Sequence, residues 1–281
     1  MYTIKQAAAL TGVPADTLRA WERRYGVPST IRSDGGYRLY DDHSLDMVRR
    51  MRTLIDGGQA AAQAAEAVLT LDHGDSVPSP EEFVESVIAG PVPDEELSRR
   101  LLLALDAGPF THTADSWLMP MLRYVGHAWS EGRLTPGEEH VISATVMRRL
   151  STAYDRLLVT RGAPVVLVGL PAGSRHEIAA LAFALLLRQS GYDTAYLGPD
   201  LPTDAWLHAV ASYEPDAIVL SVLSGEDESA SQTLNALAET HPDVPVFIGG
   251  PFVGQIPASA RKLPPTYKAA CQAFVDAIPA T

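Results

Sequence analysis

The segment SRHEIA at 174–179 places an imidazole, that of His176, between a predicted strand and a predicted helix. Imidazole nitrogen is a common metal ligand, and its second nitrogen is usually held by a hydrogen-bonding partner. Ser174 offers a hydroxyl that can hydrogen-bond an imidazole, although without a negative charge. The residue types alone leave two interpretations open, a metal ligand or an ordinary loop histidine at the start of a helix.

A second group combines an indole, a carboxylate and another imidazole. Trp129 is followed, after nine intervening residues, by Glu139 and His140. The interval spans a helix end, the turn SEGRLTPG and the start of the next helix. This spacing can bring the three side chains to one mouth of a helical bundle. Alternatively, Trp129 anchors a core and Glu139 is a first-turn residue favoured by the helix dipole.

The third group is basic and lies near the N-terminus. The helix PADTLRAWERRYG carries Arg19, Arg23 and Arg24, and the segment GGYRLY behind it carries Tyr37 and Arg38. A helix-turn-helix inserts its second helix into the major groove and sets its register with arginines on phosphates. A Gly-Gly hairpin next to it predicts a wing. The alternative is a helical domain whose arginines form a solvated face.

Composition limits the class of protein. The net charge is −12, but residues 17–52 hold 8 Lys/Arg against 5 Asp/Glu, so a basic head on an acidic body is compatible with DNA binding. A single cysteine excludes an internal disulfide, and neither a signal peptide nor an apolar run of roughly 20 residues is present. We therefore expect a cytoplasmic protein that does not enter a membrane.

Hydrophobic periodicity divides the chain of 281 residues into domains. A winged helix-turn-helix is expected over 1–70, a linker over 71–80 and a four-helix bundle over 81–160. From 163 to 281, strands alternate with helices, which predicts a doubly wound parallel α/β domain. Four strands are predicted, with no fifth before a closing helix at 267–278. The bundle helices are expected near 80–89, 94–107, 113–130 and 136–160.

The N-terminal segment, with TLRAWERRYG and GGYRLY, resembles the MerR family of winged-helix regulators along its whole length. In that family the matching residues contact DNA, mostly the phosphate backbone. The resemblance therefore implies an operator of double-stranded DNA and a homo-oligomer, a dimer or a tetramer. The implied DNA-binding residues are Arg19, Trp21, Arg23, Arg24, Tyr37 and Arg38. The segment STIRS at 29–33 departs from the family pattern and leaves the role of Arg32 open.

The bundle and α/β segments, over about 81–250, resemble the cobalamin-binding module of methionine synthase and of CarH/LitR-type light-responsive repressors. This implies a Rossmann-like cobalamin-binding domain, with adenosylcobalamin as the expected cofactor. His176 is the implied cobalt ligand, and Ser174 stands where the family has an acid that orients it. The other implied cofactor-binding residues are Trp129, Glu139, His140, Ser221, Gly249 and Gly250.

Three positions depart from the family pattern. Ser174 replaces an aspartate, Ala179 replaces a glycine, and Ser130 stands where light-sensing relatives often have a second histidine. His127 lies three residues earlier, and whether it substitutes stays open. Loss of the acid is expected to weaken metal binding by roughly 10–100-fold, and the methyl group of Ala179 can crowd the nucleotide loop.

The resemblance implies a transcriptional regulator, a repressor, whose assembly and operator binding are gated by cobalamin and by light. Two alternatives stay open. In one, a degenerate module binds another ligand or none and serves for oligomerisation or a protein partner. In the other, the chain is a cobalamin carrier or a partner of an enzyme. No P-loop, nucleophile elbow, H-E-x-x-H motif or Cys-His pair occurs, so we expect no enzymatic activity.

Overall fold

The structure, a computed structural model, describes residues 1–28, 30–32, 38–72, 77–222, 227–252, 254 and 256–280. The chain divides into two compact units, an N-terminal unit of residues 1–76 and a C-terminal unit of residues 77–281. In the described part of the chain, no helix is both long enough and apolar enough to cross a bilayer.

The N-terminal unit combines short helices with a small antiparallel sheet of order β1-β3-β2. The predicted caps are present, since the Thr3 hydroxyl accepts from the Gln6 amide and Asp41 accepts from the Ser44 amide at 2.7 Å. The glycine pair of the predicted wing lies outside the described residues. The elements are β1 (Tyr2–Thr3), α1 (Ile4–Thr11), α2 (Ala15–Tyr25), β2 (Ile31–Arg32), β3 (Arg38–Tyr40), α3 (Asp42–Asp56) and α4 (Ala61–Asp72).

The turn between α1 and α2 is fixed by a contact from α3. Arg52 donates to the carbonyl oxygen of Thr11 at 2.8 Å, at the end of α1. The next residue, Gly12, has a φ of +67°, and a Cβ there would lie 2.3 Å from Arg52 Nη1. Leu18 of α2 is completely buried in the core of the unit. These contacts hold α2 in the second position of a helix-turn-helix.

The first part of the C-terminal unit is helical, as predicted. The helix expected at 113–130 begins earlier and contains a π-helical turn at Ala114–Leu118. Pro120 explains the turn, because it has no N–H to donate to the carbonyl of Ser116. The helix expected at 136–160 ends at Arg156. The helices are α5 (Pro80–Ile88), α6 (Asp94–Leu105), α7 (Phe110–Thr113), α8 (Met119–Ser130) and α9 (Pro136–Arg156).

The second part of the C-terminal unit is a parallel sheet of order β5-β4-β6-β7-β8. The expectation of four strands is wrong, because β8 is a fifth. Two of its three residues are exposed at the sheet edge, which explains its weak hydrophobic signal. The elements are β4 (Val165–Pro171), α10 (Ile178–Gln189), β5 (Asp193–Leu201), α11 (Thr203–Tyr213), β6 (Ala217–Ser221), α12 (Glu228–Thr240), β7 (Val246–Gly249), β8 (Ala260–Lys262) and α13 (Tyr267–Ala277).

Helices cover both faces of this sheet, which confirms the predicted doubly wound fold. α10 and α13 pack on one face and α11 and α12 on the other. α10 is buried on a second side as well, because Leu181, Ala182 and Leu185 belong to the core of the helical bundle. This shared helix fixes the bundle against the α/β layer, so the two can form a common site.

Candidate ligand site and nucleic-acid interface

The strand order places a crevice at the carboxyl edge of the sheet. β4 is the first strand of the parallel sheet along the chain, and the next two strands, β5 and β6, lie on opposite sides of it. Ligands of open α/β sheets bind where the strand order reverses in this way. A cavity of about 310 Å³ opens at this edge. Three of the predicted site residues, Ser221, Gly249 and Gly250, line it together.

The floor of the cavity depends on its two glycines. Gly250 has a φ of +99°, and a Cβ there would lie 1.9 Å from the carbonyl oxygen of Val222. A Cβ on Gly249 would meet no atom within 4 Å. Gly250 is thus required by the backbone, whereas Gly249 leaves space open beside the cavity. Ser221 is buried, and its hydroxyl has no hydrogen bond to any residue that the structure describes.

One helical face closes the cavity from the bundle. Asp115, Met119 and Arg123 line it at intervals of four residues. Both carboxylate oxygens of Asp115 are occupied, since they accept from the backbone amides of Tyr267 at 2.7 Å and Lys268 at 3.0 Å. Arg123 has no hydrogen bond or ion pair with a described residue. Among the described residues its guanidinium is therefore an unpaired cation beside a largely apolar cavity.

The loop that carries His176 is anchored by Asp200, at the end of β5. Gly173 N donates to Asp200 Oδ1 at 2.7 Å, and Asp200 N donates to the carbonyl of Ser174 at 2.9 Å. Asp200 has a φ of +59°, which aspartate tolerates better than most residues. On the other side of the histidine, Tyr196 donates to Glu177 Oε2 at 2.8 Å. The loop is held on both sides of His176.

His176, the predicted metal ligand, and Ser174, at the position of the residue that orients it, differ in exposure. His176 is exposed, and its imidazole has no hydrogen bond within the described ranges, so both ring nitrogens are available. Ser174 is only 8% exposed, and its Oγ lies 3.4 Å from Asp227 Oδ2. No hydrogen bond joins Ser174 to His176. The serine hydroxyl therefore faces a carboxylate from another loop.

Ala179, at the position of the family glycine, is held through its backbone. Its carbonyl accepts from the Tyr267 hydroxyl at 2.9 Å. Burial raises the pKa of Tyr267 well above its usual range, so the phenol remains a donor at any physiological pH. Ala179 is one of the residues that line the cavity.

Trp129, Glu139 and His140 lie on either side of the α8–α9 turn. Trp129 is 54% exposed and belongs to no hydrophobic core, so it is not the core anchor of the alternative interpretation. Glu139 lies in the first turn of α9 and accepts from the Ser143 hydroxyl at 2.6 Å. His140 is exposed. No hydrogen bond joins the three, which leaves the indole and the imidazole free to contact a ligand.

His127 belongs to a charged network on the same helix. Its Nε2 lies 3.0 Å from Glu131 Oε1, and Arg133 contacts both Glu131 at 2.9 Å and Glu85 at 2.6 Å. Hydrogen bonds from Tyr124 and from Arg133 hold the pKa of Glu85 below its usual range. With Nε2 paired to Glu131, Nδ1 is the ring nitrogen of His127 that a metal could take.

The four predicted DNA-contacting arginines of the N-terminal unit fall into two groups. Arg23 and Arg24 are exposed in the last turn of α2, and neither has a side-chain partner among the described residues. Arg19 pairs with Asp16 at 2.8 Å, and Arg38 pairs with Glu22 at 2.5 Å. Trp21 packs against both hydrophobic cores of the unit. Tyr37 lies outside the described residues.

Asp115, Arg123, Asp200 and Asp227 were missed by the sequence analysis. Asp227 had a visible local signal, since it precedes a predicted helix and its Oδ1 accepts from Ala230 N at 2.9 Å as an N-cap. Its approach to Ser174 depends on β4 and β6 being neighbours, so that the loops after them meet. The order of strands in the predicted doubly wound fold was therefore the signal that could have indicated that these two loops meet.

Comparison with known proteins agrees with this architecture. Residues 2–70 match the family described as MerR HTH family regulatory protein, and residues 164–271 match the B12 binding domain. In the HTH-type transcriptional repressor CarH of Myxococcus xanthus, 34% of 265 aligned residues are identical, covering 89% of this chain and 88% of that protein. The repressor CarA of the same organism is also 34% identical, over 88% of this chain and 85% of that protein.

A solved structure supports the fold of the C-terminal unit. The monomethylamine corrinoid protein of Methanosarcina barkeri superimposes with a TM-score of 0.54 at 13% identity, covering 72% of this chain and 98% of that one. This likeness concerns the fold alone. The relatives are named as transcriptional regulators, which confirms the expectation that the chain is not an enzyme. The chain belongs to the MerR-type helix-turn-helix transcriptional repressors that carry a C-terminal B12-binding domain, the family of CarH and CarA.

Proposed function

We propose that the protein is a repressor whose assembly and operator binding are gated by adenosylcobalamin and by light. The observation that carries the proposal is the cavity lined by Ser221, Gly249 and Gly250 and, three residues after His176, by Ala179 at the start of α10. A repressor acts where chromosomal DNA is, which places the protein in the cytoplasm. It binds double-stranded operator DNA as a dimer or as a larger homo-oligomer.

The residues of the C-terminal unit fit cobalamin. A volume of about 310 Å³ lies at the lower end of the range of small-molecule sites, roughly 300–1,000 Å³, and suits the nucleotide tail of the cofactor. The guanidinium of Arg123 beside the cavity complements the phosphodiester of that tail. His176 is exposed, and no described residue hydrogen-bonds to its ring, so a ring nitrogen is available to a metal. His176 would bind the cobalt.

When bound, adenosylcobalamin supplies a cobalt–carbon bond that visible light breaks. The protein supplies the surfaces on either side of it. His176 would hold the metal from the sheet edge, and Trp129 would cover the adenosyl group with its exposed indole. Glu139 and His140, which lie at the start of α9, would hydrogen-bond to that group. Because the bundle shares α10 with the α/β layer, a changed contact at Trp129 is transmitted to the packing between the two.

Gating by assembly follows from multivalency. When several DNA-binding units belong to one oligomer, binding of the first unit to a repeated operator raises the effective local concentration of the others. This gain in affinity is lost when the oligomer dissociates. In the dark, the cofactor-loaded protein favours the oligomer, which therefore binds the operator tightly. Light weakens binding without altering any arginine of the N-terminal unit.

The two glycines of the cavity give a matched test of the site. Gly250→Ala places a methyl group against the Val222 carbonyl at a positive φ, and we expect it to lower the free energy of unfolding by more than about 1 kcal/mol. Gly249→Ala has no such clash, and we expect nearly unchanged stability but weaker cobalamin binding, because the methyl group occupies the cavity. Denaturant unfolding of the cofactor-free protein and absorbance titration with cobalamin measure the two effects. Equal cobalamin affinity in Gly249→Ala and wild type would contradict this placement of the tail.

The proposed function is tested on the full chain incubated with adenosylcobalamin in the dark and then desalted. We expect a retained cobalamin spectrum that changes under green light, with a decrease in mass by analytical ultracentrifugation. Binding to a duplex selected from a randomised library by the dark, loaded protein should weaken on illumination. A colourless protein after desalting would support the alternative of a degenerate module. Unchanged mass and DNA binding in dark and light would rule out the gating.

A further inference from the structure

A buried hydroxyl and a carboxylate meet beside His176, and neither has a role in the site described so far. Ser174 follows β4 and Asp227 follows β6, two neighbouring parallel strands. Their side chains approach to 3.4 Å between Ser174 Oγ and Asp227 Oδ2. The contact is made where the family has an aspartate at position 174 and this chain has none.

The two oxygens of Asp227 have separate partners. Oδ1 accepts from Ala230 N at 2.9 Å and caps α12. Oδ2 is directed to Ser174, and Asp227 forms no ion pair with any side chain in the described ranges. The nearby Arg175 pairs with Asp200 instead, at 3.5 Å. Asparagine caps a helix as well as aspartate does. The helix dipole favours a negative charge at this end of α12, so what remains to be explained is the contact of Oδ2 with Ser174.

The hydroxyl of Ser174 can pass the effect of that charge to an imidazole. A serine hydroxyl donates one hydrogen bond and accepts others. When its proton points to Asp227, its lone pairs remain to accept the N–H of an imidazole two residues along the chain. Hydrogen bonds in such a chain polarise one another. A neutral serine with a carboxylate behind it is thus a stronger acceptor than a serine alone.

We infer that Ser174 and Asp227 together replace the missing family aspartate, with Asp227 as a positioning residue that acts on His176 through the Ser174 hydroxyl. The inference rests on the proposed function, in which His176 binds the cobalt. Its N–H then donates to Ser174 Oγ, which fixes the ring and raises the basicity of the ligating nitrogen. Asp227, from a second loop, thus compensates for the absence of an aspartate at position 174.

A consequence distinguishes this arrangement from a simple loss of the acid. If Ser174 only lacked the carboxylate that the family has at this position, Ser174→Asp would strengthen cobalt ligation by His176. Beside Asp227, the new carboxylate instead stands within about hydrogen-bonding distance of another, and like charges repel. The substitution should help only after the charge at position 227 has been removed.

The experiment uses the full chain labelled with ¹⁵N-histidine, loaded with adenosylcobalamin and photolysed without oxygen to the cobalt(II) form. Its EPR spectrum distinguishes ligation by a labelled protein histidine from ligation by the unlabelled base of the cofactor. Dark affinity is measured by absorbance titration, and the unfolding midpoint is measured without cofactor. The variants are Ser174→Ala, Asp227→Asn, their double variant, Ser174→Asp, and Ser174→Asp with Asp227→Asn. Glu228→Gln, exposed in the same first turn of α12, is the matched control.

We expect Ser174→Ala and Asp227→Asn each to weaken binding by roughly tenfold, within the range for lost partners of metal ligands. The double variant should be no weaker than either, since both remove one relay. The ¹⁵N-histidine signal should fall in all three, with unfolding midpoints close to that of wild type and Glu228→Gln unchanged. Ser174→Asp alone should not bind more tightly than wild type. In Ser174→Asp combined with Asp227→Asn, the ¹⁵N-histidine signal should match that of wild type.

Three results would overturn the inference. Wild-type affinity and ¹⁵N signal in Asp227→Asn would remove Asp227 from the site. Losses that add in the double variant would make the two residues independent. Tighter binding by Ser174→Asp alone would show that Asp227 does not act at this position. A wild-type chain that binds no cobalamin would overturn the proposed function itself, and this inference with it.

Discussion

We expect His176→Ala to lower the dark affinity for adenosylcobalamin by more than tenfold and to abolish the ¹⁵N-histidine signal of the cobalt(II) form. Loss of a partner of a metal ligand costs roughly 10–100-fold in affinity, so loss of the ligand itself should cost at least as much. The cavity and the bundle remain to bind the rest of the cofactor, so weaker binding is expected rather than none. Titration by absorbance and EPR of the labelled protein measure the two effects.

The structural cost of this variant should be small. His176 is exposed and has no hydrogen bond with a described residue, and its loop is held instead by Asp200 and Tyr196. The unfolding midpoint without cofactor should therefore match that of wild type. His208→Ala, which removes another exposed imidazole from the same domain, is the control and should bind as wild type does. An intact ¹⁵N-histidine signal in His176→Ala would assign the cobalt to another histidine.

The fold of the C-terminal unit could be predicted because its signals are local. Short apolar runs such as VVLVGL and AIVLS, separated by helical segments, define buried parallel strands. The same logic brings Ser221 and Gly249 together, since residues at the carboxyl ends of neighbouring strands share one edge. The edge strand β8 was missed because a three-residue strand with two exposed positions carries almost no pattern.

The contacts that hold the candidate site could not be predicted in the same way. Asp227 and Ser174 are separated by 53 positions, and their meeting depends on strand order and on a side-chain rotamer. Asp200 holds the loop through its carboxylate and its backbone N–H, at a positive φ that no residue pattern specifies. Arg123 could be recognised as part of the site only after the π-helical turn had fixed the rotation of α8 over the cavity.

The exposure of Trp129 argues against one of the two interpretations that the sequence left equal, the core anchor. A tryptophan near a helix end is compatible with a core anchor or with a ligand contact. With 54% of its surface exposed, the side chain has an apolar face that water covers in the cofactor-free protein. Covering that face on ligand binding is favourable because it removes apolar area from water. The geometry therefore supports the proposed contact with the adenosyl group.

The largest effect on DNA binding is expected from Arg23→Ala with Arg24→Ala. Both arginines are exposed in α2 and have no side-chain partner in the part of the chain that the structure describes, whereas Arg19 and Arg38 are engaged by Asp16 and Glu22. The slope of log affinity against log salt for duplex DNA is about −0.9 per phosphate contact. In a dimer, loss of two contacts per protomer should reduce the magnitude of the slope by roughly 3.6. Operator binding measured between about 50 and 200 mM salt gives this quantity.

Arg161→Ala is the control for the charge itself, because it removes an exposed cation from the C-terminal unit and should leave the slope unchanged. The Leu18 side of α2 is buried, so the double variant should keep its unfolding midpoint and its cobalamin spectrum. An unchanged salt slope in Arg23→Ala/Arg24→Ala would assign these arginines to a solvated surface, the alternative that an arginine-rich helix always presents. A reduced slope that persists in light and in the dark would show that the contacts are intrinsic to the N-terminal unit. The cofactor would then control only how many such units act together.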